Sequence, residues 1–255
     1  MKMNVGDFTE NKILCADQVT VVGTGGVKIL DSVSFTLTAG EKVALIGENG
    51  AGKSTLLMSL VGITPIESGN IHVNQIELNK KNLAKIRAET GVVFQNPDDQ
   101  LFMPKVYDDI AFGPRNLGIA EDEINVRIDT VLEKLGISHL RERMTGRLSG
   151  GEKRRIAIAT VLVMNPSVLL FDEPSSFLDP KSRRLLIKEL LSLQYTQFIA
   201  THDLDLALEV CDRVIVLQNG KIQAEGTVKE ILTNQELLDK FGLELPLSLS
   251  ENAKP

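Results

Sequence analysis

At 255 residues, with 43% hydrophobic and 24% charged side chains, the chain has the size and composition of one large α/β domain or two small ones with ample core. Its net charge of −6 argues against nonspecific attraction to nucleic acid or to an acidic membrane surface. All apolar runs are too short for a membrane span, and Met1 to Glu10 lack the apolar core of a signal peptide, so we expect a cytoplasmic protein.

The sequence predicts a loose N-terminus followed by antiparallel strands. Residues 1–12 are polar, and short β-type runs follow from 13 to 37. They predict two strands joined by a hairpin turn at 23–26, because the G-x-G-x-x-G spacing of a dinucleotide-binding loop is absent there. A further turn is predicted at 68–70, before a strand at 71–73.

A phosphate-binding loop follows the apolar strand predicted at 42–46 and precedes a helix. The loop fits G-x-x-x-x-G-K-[S/T], and its residues are Gly47, Glu48, Asn49, Gly50, Ala51, Gly52, Lys53, Ser54 and Thr55. Successive backbone N–H groups would form an anion nest at the positive end of the helix. Lys53 would reach the β- and γ-phosphates of ATP, and Ser54 would bind Mg²⁺. The alternative is a glycine-rich turn that merely joins strand to helix.

The rest of the chain alternates buried strands with helices. Strands are predicted at 92–94, 168–171, 197–202 and 214–217, and helices at 181–193 and 203–210. This alternation predicts an α/β fold with a mostly parallel, doubly wound sheet. Helical patterns dominate from about 106 to 161, where the apolar spacing within 121–135 marks one helix face. That stretch predicts a helical subdomain set into the α/β core.

A second motif narrows the class, since a phosphate-binding loop alone could belong to a kinase, a GTPase or a motor. Leu148-Ser149-Gly150-Gly151-Glu152 resembles the signature motif of ABC ATPases, and the other motifs of that family occur in order. Gln95 matches the Q-loop, and His202 matches the switch histidine. Val168-Leu169-Leu170-Phe171-Asp172-Glu173 resembles a Walker B strand with its following glutamate. Ser176-Phe177-Leu178-Asp179 resembles the D-loop.

This resemblance covers most of the chain and implies a P-loop NTPase fold of ABC ATPase type. The fold would have a mostly parallel core sheet, an N-terminal antiparallel β part and an inserted helical subdomain at about 97–160. A single nucleotide-binding domain would span 13–240, between the loose N-terminus at 1–12 and a short tail at 241–255. The resemblance also implies an ATPase coupled to transmembrane transport, with ATP and Mg²⁺ as cofactors.

The residue types of these motifs suit hydrolysis, which needs charge neutralisation and a positioned water. Asp172 could hold Mg²⁺ through water, and Glu173 could accept a proton from the attacking water. Gln95 could contact Mg²⁺ and that water, while His202 could contact the γ-phosphate. Each has a structural alternative: Glu173 as a carboxylate bonded to backbone at a helix start, His202 as a packed imidazole and Gln95 as a plain strand end.

Ser149, Gly150 and Gly151 offer N–H donors at a helix start that we expect to lie far from the phosphate loop of their own chain. In the resembling family they complete a partner's site, so that two subunits sandwich two ATP molecules, and Asp179 is assigned with them to nucleotide binding. The partner would be a second ATP-binding subunit, in a homodimer or a heterodimer. Arg154 and Arg155 are predicted to form a solvated or dimer-facing helix surface.

Two stretches, 94–102 and 109–118, closely resemble the ATP-binding subunits of energy-coupling factor importers, with the cobalt/nickel branch nearest. The segment at 237–246 is also similar to those subunits. The resemblance implies a peripheral ATPase at the cytoplasmic face of the cell membrane, bound to a membrane coupling protein that works with a substrate-capture protein. The transported substrate would be a micronutrient, either a metal ion such as cobalt or nickel or a vitamin.

The chain departs from the family pattern at two places, and other functions stay open. No aromatic residue for stacking on adenine stands at 21–23, and Phe177 is bulkier than the small residue usual in the D-loop.

The main alternative function is that of the ATPase subunit of another class of ABC importer or exporter. A soluble ABC ATPase acting on DNA or ribosomes would carry a coiled-coil insertion or two fused units, which this chain lacks. Intact Glu173 argues against a regulatory module without turnover, and no nucleic-acid partner is expected.

Overall fold

The computed structural model describes residues 11–250; residues 1–10 and 251–255, which belong to the predicted loose N-terminus and short tail, lie outside the described residues. The strands are β1 (Lys12–Val22), β2 (Lys28–Thr38), β3 (Lys42–Ile46), β4 (Ser68–Val73), β5 (Ile76–Glu77), β6 (Thr90–Val93), β7 (Val168–Asp172), β8 (Thr196–Ala200), β9 (Arg213–Gln218) and β10 (Lys221–Thr227). The helices are α1 (Lys53–Leu60), α2 (Leu83–Glu89), α3 (Val106–Asn116), α4 (Glu121–Lys134), α5 (Gly150–Leu162), α6 (Pro180–Ser192), α7 (Leu204–Val210), α8 (Val228–Leu232) and α9 (Gln235–Lys240).

A six-stranded sheet in the order β10-β9-β3-β8-β7-β6 forms the centre of the molecule. All neighbours from β9 to β6 run parallel, and β10 pairs antiparallel with β9 at one edge. Parallel strands bring their carboxyl ends to the same edge, where ligand sites of open α/β sheets form. The predicted fold class, an α/β P-loop fold with a mostly parallel core sheet, is confirmed.

Both faces of this sheet are buried, and alternate residues of its central strands point to opposite faces. In β3, Val43 and Leu45 join one core cluster, whereas Ala44 and Ile46 join the other. The first cluster includes α1 and the antiparallel strands, and the second includes α5, α6 and α7. A strand covered on both faces needs apolar residues in an unbroken run, which is the pattern that the sequence shows.

The N-terminal strands form a separate antiparallel sheet in the order β2-β1-β4-β5, and the predicted β1–β2 hairpin is confirmed. The turn predicted at 68–70 is wrong, because these residues pair with β1 as the start of β4. Gly69 has φ +95, and a Cβ at this position would lie 2.4 Å from the carbonyl oxygen of Gln18. The glycine therefore marks a close backbone approach where the β1–β4 register shifts, and it does not reverse the chain.

Helices α3, α4 and α5 pack together on one side of the six-stranded sheet. Helix α4 buries Ile124, Ile128, Val131 and Leu132, which is the face predicted from the apolar spacing. Acidic side chains fill its first turn and Lys134 its last, which complements the helix dipole. The boundaries predicted for a helical subdomain, at about 97–160, stay a prediction.

The last described segment returns to the carboxyl edge of the sheet. Gly242 lies so close to Glu48 of the phosphate loop that a Cβ would be 2.1 Å from the Glu48 Oε1 atom. Further on, the backbone N–H groups of Leu247 and Ser248 donate to the Asp205 carboxylate at 2.9 and 3.0 Å. Across residues 11–250, none of the helices has the length and apolar character that crossing a membrane requires.

Candidate active site

One cleft of about 470 Å³ opens at the carboxyl edge of the six-stranded sheet. It is lined by residues from the phosphate loop and from the ends of several strands: Ile29, Asn49, Gly50, Gly52, Lys53, Ser54, Thr55, Gln95, Glu173, Ser176, Phe177 and His202. The fold thus gathers the phosphate loop and the three predicted catalytic side chains around a single space.

The phosphate loop joins β3 to α1 through glycines in the left-handed region. Gly50 has φ +83, and Gly52, the N-cap of α1, has φ +105. A Cβ at Gly52 would also approach the Leu30 side chain to 2.9 Å. No side chain caps α1. The first N–H groups of a helix have no intrahelical acceptor, so they face the cleft as donors for an anion.

Lys53, the first residue of α1, is only 6% exposed and donates to two loop carbonyls. Its Nζ atom lies 2.7 Å from the Gly47 oxygen and 3.2 Å from the Glu48 oxygen. The same Nζ is 3.7 Å from Glu173 Oε1. Burial lowers the pKa of Lys53, and the nearby carboxylates of Glu173 and Asp172 oppose that shift. Lys53 is therefore a buried cation held within reach of any phosphate that enters the loop.

Ser54 and Asp172 meet at the base of the cleft although they lie far apart in the sequence. Ser54 Oγ donates to Asp172 Oδ1 at 3.0 Å. Burial raises the pKa of Asp172, and the bond from Ser54 and the charge of Lys53 act against it. Hydroxyl and carboxylate oxygens are the ligands that Mg²⁺ prefers. No group of three or more His, Cys, Asp or Glu side chains that could hold a metal ion occurs within the described 11–250 range. A cation here would need further oxygen ligands from bound phosphate.

Glu173 directly follows β7, is buried and has φ +45. Its backbone N–H donates to the Ala200 carbonyl at 2.8 Å, which holds this unusual conformation. Its Oε2 atom accepts the His202 backbone N–H at 3.2 Å and lies 2.7 Å from His202 Nδ1. A buried carboxylate between a lysine and a histidine is an arrangement suited to a general base. The left-handed backbone at a non-glycine residue is the kind of strain found at functional sites.

The structure does not bring Ser149, Gly150 and Gly151 into this cleft. Ser149 is the N-cap of α5 and forms a capping box with Glu152, and both Ser149 and Gly150 are exposed. Ser149 and Gly151 line a different cavity, beside Leu178 and Ser182. Asp179 is likewise outside the cleft, where its carboxylate caps α6 by accepting from the N–H groups of Lys181 and Ser182.

The predicted solvated surface at Arg154 and Arg155 is wrong for Arg154. That residue is 2% exposed and donates from Nη1 to the Phe94 carbonyl at 2.6 Å and from Nη2 to the Gln95 carbonyl at 2.5 Å. Arg155 is partly exposed, with its Nε atom 3.8 Å from Glu189 Oε1. A run of charges at a helix start usually faces water, so the sequence carries no local signal for the burial of Arg154.

Three further residues line the cleft but were not predicted as site residues. Ile29 lies on β2, and only the pairing of distant strands brings it there. Ser176 and Phe177 belong to the D-loop motif and follow Glu173 closely in the chain, so their proximity to Glu173 could have been inferred from the sequence. Phe177 is 88% exposed with φ +63, an unusual backbone conformation for an aromatic residue.

Comparisons with known proteins agree with this geometry. The family model described as ABC transporter matches residues 30–176. Over 88% of its length the chain is 46% identical to an ABC transporter ATP-binding protein of Geobacter sulfurreducens, 90% of which is covered. Over 87% of its length it is 44% identical to the energy-coupling factor transporter ATP-binding protein EcfA of Methanothermobacter thermautotrophicus, 73% of which is covered. The solved structure of cbiO1 from Clostridium perfringens, described as part of the ABC transporter complex cbiONQ, is similar with a TM-score of 0.82 and 37% identity, over 95% of this chain and 97% of that one.

Proposed function

The chain belongs to the ABC transporter family of ATPases, and on that premise we propose that it is the ATP-hydrolysing subunit of an energy-coupling factor type importer. ATP binding, ATP hydrolysis and action with the membrane components of a transporter follow from the family. The resemblance recognised in the sequence is confirmed, because relatives bearing the energy-coupling factor name match most of the chain. The similarity to EcfA and to cbiO1 is the observation that supports the finer assignment.

The phosphate loop would hold the triphosphate. No side chain caps α1, so the N–H groups of its first turn would donate to the phosphate oxygens, and Lys53 adds a positive charge beside them. Phosphate oxygens would replace the Gly47 and Glu48 carbonyls as acceptors for the Lys53 ammonium. Asn49, Ala51 and Thr55 complete the loop and its first helical turn. This arrangement binds phosphate through the backbone and therefore leaves base recognition to other residues.

Ser54, Asp172 and Gln95 fit a magnesium site, since hydroxyl, carboxylate and amide oxygens are all hard ligands. The Ser54–Asp172 bond shows that the first two are already adjacent. Bound Mg²⁺ would neutralise developing charge on the β- and γ-phosphate oxygens. The protein contributes the orientation: Ser54 is fixed by α1 and Asp172 by the end of β7.

Glu173 would act as the general base of hydrolysis. Its Oε2 atom would accept a proton from the water that attacks the γ-phosphate, while its Oε1 atom stays near the Lys53 ammonium. His202 orients this carboxylate through both its backbone N–H and its ring, and its exposed imidazole would contact the γ-phosphate. Gln95, which also lines the cleft, would position the attacking water and the metal.

The site would be completed by a second ATP-binding subunit. Ser149 and Gly150 are exposed at the start of α5, outside the cleft of their own phosphate loop. The Ser149 N–H donates to Glu152 in the capping box, so the N–H groups of the first helical turn, beginning with Gly150, would be the donors offered to a partner. In a head-to-tail dimer, each subunit would present the N-terminal end of its α5 to the ATP bound by the other subunit. Asp179 would lie at this dimer interface. Both a homodimer and a heterodimer fit this geometry.

A groove of about 230 Å³ beside the Q-loop would receive the membrane coupling protein. Phe102 and Phe112 line it, both exposed, with their rings edge to face at 4.9 Å. Exposed paired aromatic rings are the usual anchors of a protein interface. The subunit would thus sit peripherally at the cytoplasmic face of the membrane, and the coupling protein would connect it to a substrate-capture protein. The imported micronutrient would be a metal ion such as cobalt or nickel, or a vitamin.

Copurification tests this proposal. The tagged chain, isolated from its native membrane, should bring down a second ATP-binding subunit or copy, a coupling protein and a small substrate-capture membrane protein. Recovery of only a pair of large permease subunits would instead support the alternative, the ATPase of another class of ABC importer or exporter. Phe102→Ser should release the membrane partners and leave the chain folded. Val126→Ser is the matched control, because Val126 is 66% exposed on α4 and does not line the groove.

A further inference from the structure

Arg154 is a buried cation without a counterion. None of the carboxylates between residues 11 and 250 lies within 4.0 Å of its guanidinium, and its Nε atom has no hydrogen-bond partner in that range. Burial alone lowers the pKa of Arg154, to about 10. Burying an unpaired charge is costly, so a residue that served packing alone would be apolar. The presence of an arginine here is therefore explained by the groups to which its guanidinium donates hydrogen bonds.

What Arg154 binds is the backbone of the Q-loop. Its two terminal nitrogens donate to the successive carbonyls of Phe94 and Gln95, one bond each. A planar fork that holds two neighbouring carbonyls fixes the peptide planes between them. Those planes set the direction in which the Gln95 side chain leaves the backbone. Gln95 is exposed and lines the nucleotide cleft, so its orientation is not fixed by packing.

The remainder of the loop is tied to the same helix. Gln100 accepts from the Phe94 N–H at 3.2 Å and donates to the Ala157 carbonyl and Thr160 Oγ1, both at 2.8 Å. Lys153 lies 2.5 Å from Asp98. Residues 94–100 are therefore bonded to α5 at several points, with Arg154 at the point nearest to Gln95. Helix α5 is the element whose N-cap is Ser149.

We infer that Arg154 is a positioning residue for Gln95, which it holds in register with α5 so that the glutamine amide meets the metal and the attacking water. The inference rests on the proposed role of Gln95 in hydrolysis. Arg154 itself touches neither nucleotide nor metal in this scheme. It acts on the chemical step only through the Q-loop backbone.

A double-mutant cycle in ATP hydrolysis tests the inference. Arg154→Met keeps the length and apolar stem but removes both donors, and we expect kcat to fall about 10- to 100-fold because the amide is misplaced. The KM for ATP should change less than about 3-fold, since the phosphate loop is intact. In a Gln95→Ala background, Arg154→Met should change kcat by less than about 2-fold, because the side chain it positions is gone. The full fall in that background would overturn the inference.

Arg213→Met is the matched control. Arg213 also donates to a carbonyl, that of Thr36 at 2.7 Å, but it pairs with Glu41 and does not line the nucleotide cleft. Any effect of Arg213→Met should be the same with and without Gln95→Ala. If Arg154→Met does not fold, Arg154→Lys replaces it, since the single nitrogen of an ammonium lacks the rigid planar fork with which the guanidinium donates one bond to each carbonyl. We expect Arg154→Lys to lower kcat less than Arg154→Met does, and to have no effect on kcat in the Gln95→Ala background. An equal loss of kcat with and without Gln95→Ala would overturn the inference.

The single variant Gln95→Ala separates the two levels of the scheme. An unchanged kcat in Gln95→Ala would refute the proposed role of Gln95 and, with it, the inference. A lowered kcat in Gln95→Ala combined with additivity of Arg154→Met would refute the positioning role alone.

Discussion

The half-buried carboxyl of Glu189 gives a prediction whose magnitude follows from the structure. Glu189 lies on α6 beside a cavity of about 60 Å³ between α5 and α6. Its Oε2 atom has no hydrogen-bond partner within residues 11–250, and its Oε1 atom is 3.8 Å from Arg155. Burial raises the pKa of Glu189 to about 7 from its ordinary value of 4.5, although Arg155 acts in the opposite direction. The folded chain thus holds this proton more tightly than the unfolded chain.

The sign of the pH dependence follows from that difference. Where the folded state binds more protons, the free energy of unfolding decreases as pH rises, here from about pH 4.5 to somewhat above 7. The complete loss corresponds to about 3 kcal/mol, of which about 2 kcal/mol falls between about pH 5.5 and about pH 8. Glu189→Gln cannot ionise, so this part of the pH dependence should disappear. Its free energy of unfolding should equal or exceed that of the wild type at about pH 8.

Urea unfolding at the two pH values, followed by far-UV circular dichroism, measures the difference. The comparison is valid if the slope of unfolding free energy against urea is the same in both chains. Glu133→Gln, an exposed position on α4, serves as the control and should follow the wild type at both pH values. Parallel pH dependences of wild type and Glu189→Gln would refute the assignment of a raised pKa to this carboxyl.

Three further predictions concern the cleft. Lys53→Ala should reduce phosphate release from ATP by more than about 100-fold, because the buried cation of the phosphate loop is lost; hydrolysis at the wild-type rate would remove the phosphate-loop assignment. Glu173→Gln removes the proposed base, so the chain with ATP and Mg²⁺ should elute as a dimer in size exclusion, whereas a monomer at saturating ATP would contradict the sandwich. Phe177→Asn should leave the free energy of unfolding unchanged or raise it by up to about 1 kcal/mol, since asparagine tolerates φ +63 better than phenylalanine does. Thermal unfolding checks the last prediction, and a drop of several degrees would show that the exposed ring carries packing energy.

The elements that the sequence predicts well are those whose signals are local. The phosphate loop is recognised because its glycines, lysine and serine must follow a strand at fixed spacing. The meeting of Ser54 with Asp172 is predictable too, because parallel strands end at one edge of a sheet, so residues just beyond those ends come together. The apolar face of α4 follows directly from a 3.6-residue period.

The features that the sequence does not predict depend on contacts between distant segments. Ser68-Gly69-Asn70 has the composition of a turn, yet Gly69 is needed because the Gln18 carbonyl approaches its backbone in a sheet. Arg154 stands in a charged run that by composition belongs to a solvated helix face. Only the packing of α5 against residues 94–100 reveals two carbonyls that require a donor. Likewise, Ile29 reaches the cleft only through the pairing of the N-terminal strands.

The six-stranded sheet contributes residues to both hydrophobic clusters, and this affects how the chain unfolds on heating. The antiparallel sheet with α1 lies on one face of the six-stranded sheet and the α5, α6 and α7 layer on the other, and adjacent residues of β3 contribute to both cores. Neither side can detach without exposing apolar residues of the strands that the other side needs. Differential scanning calorimetry should therefore give one endotherm for the nucleotide-free chain, with equal calorimetric and van't Hoff enthalpies.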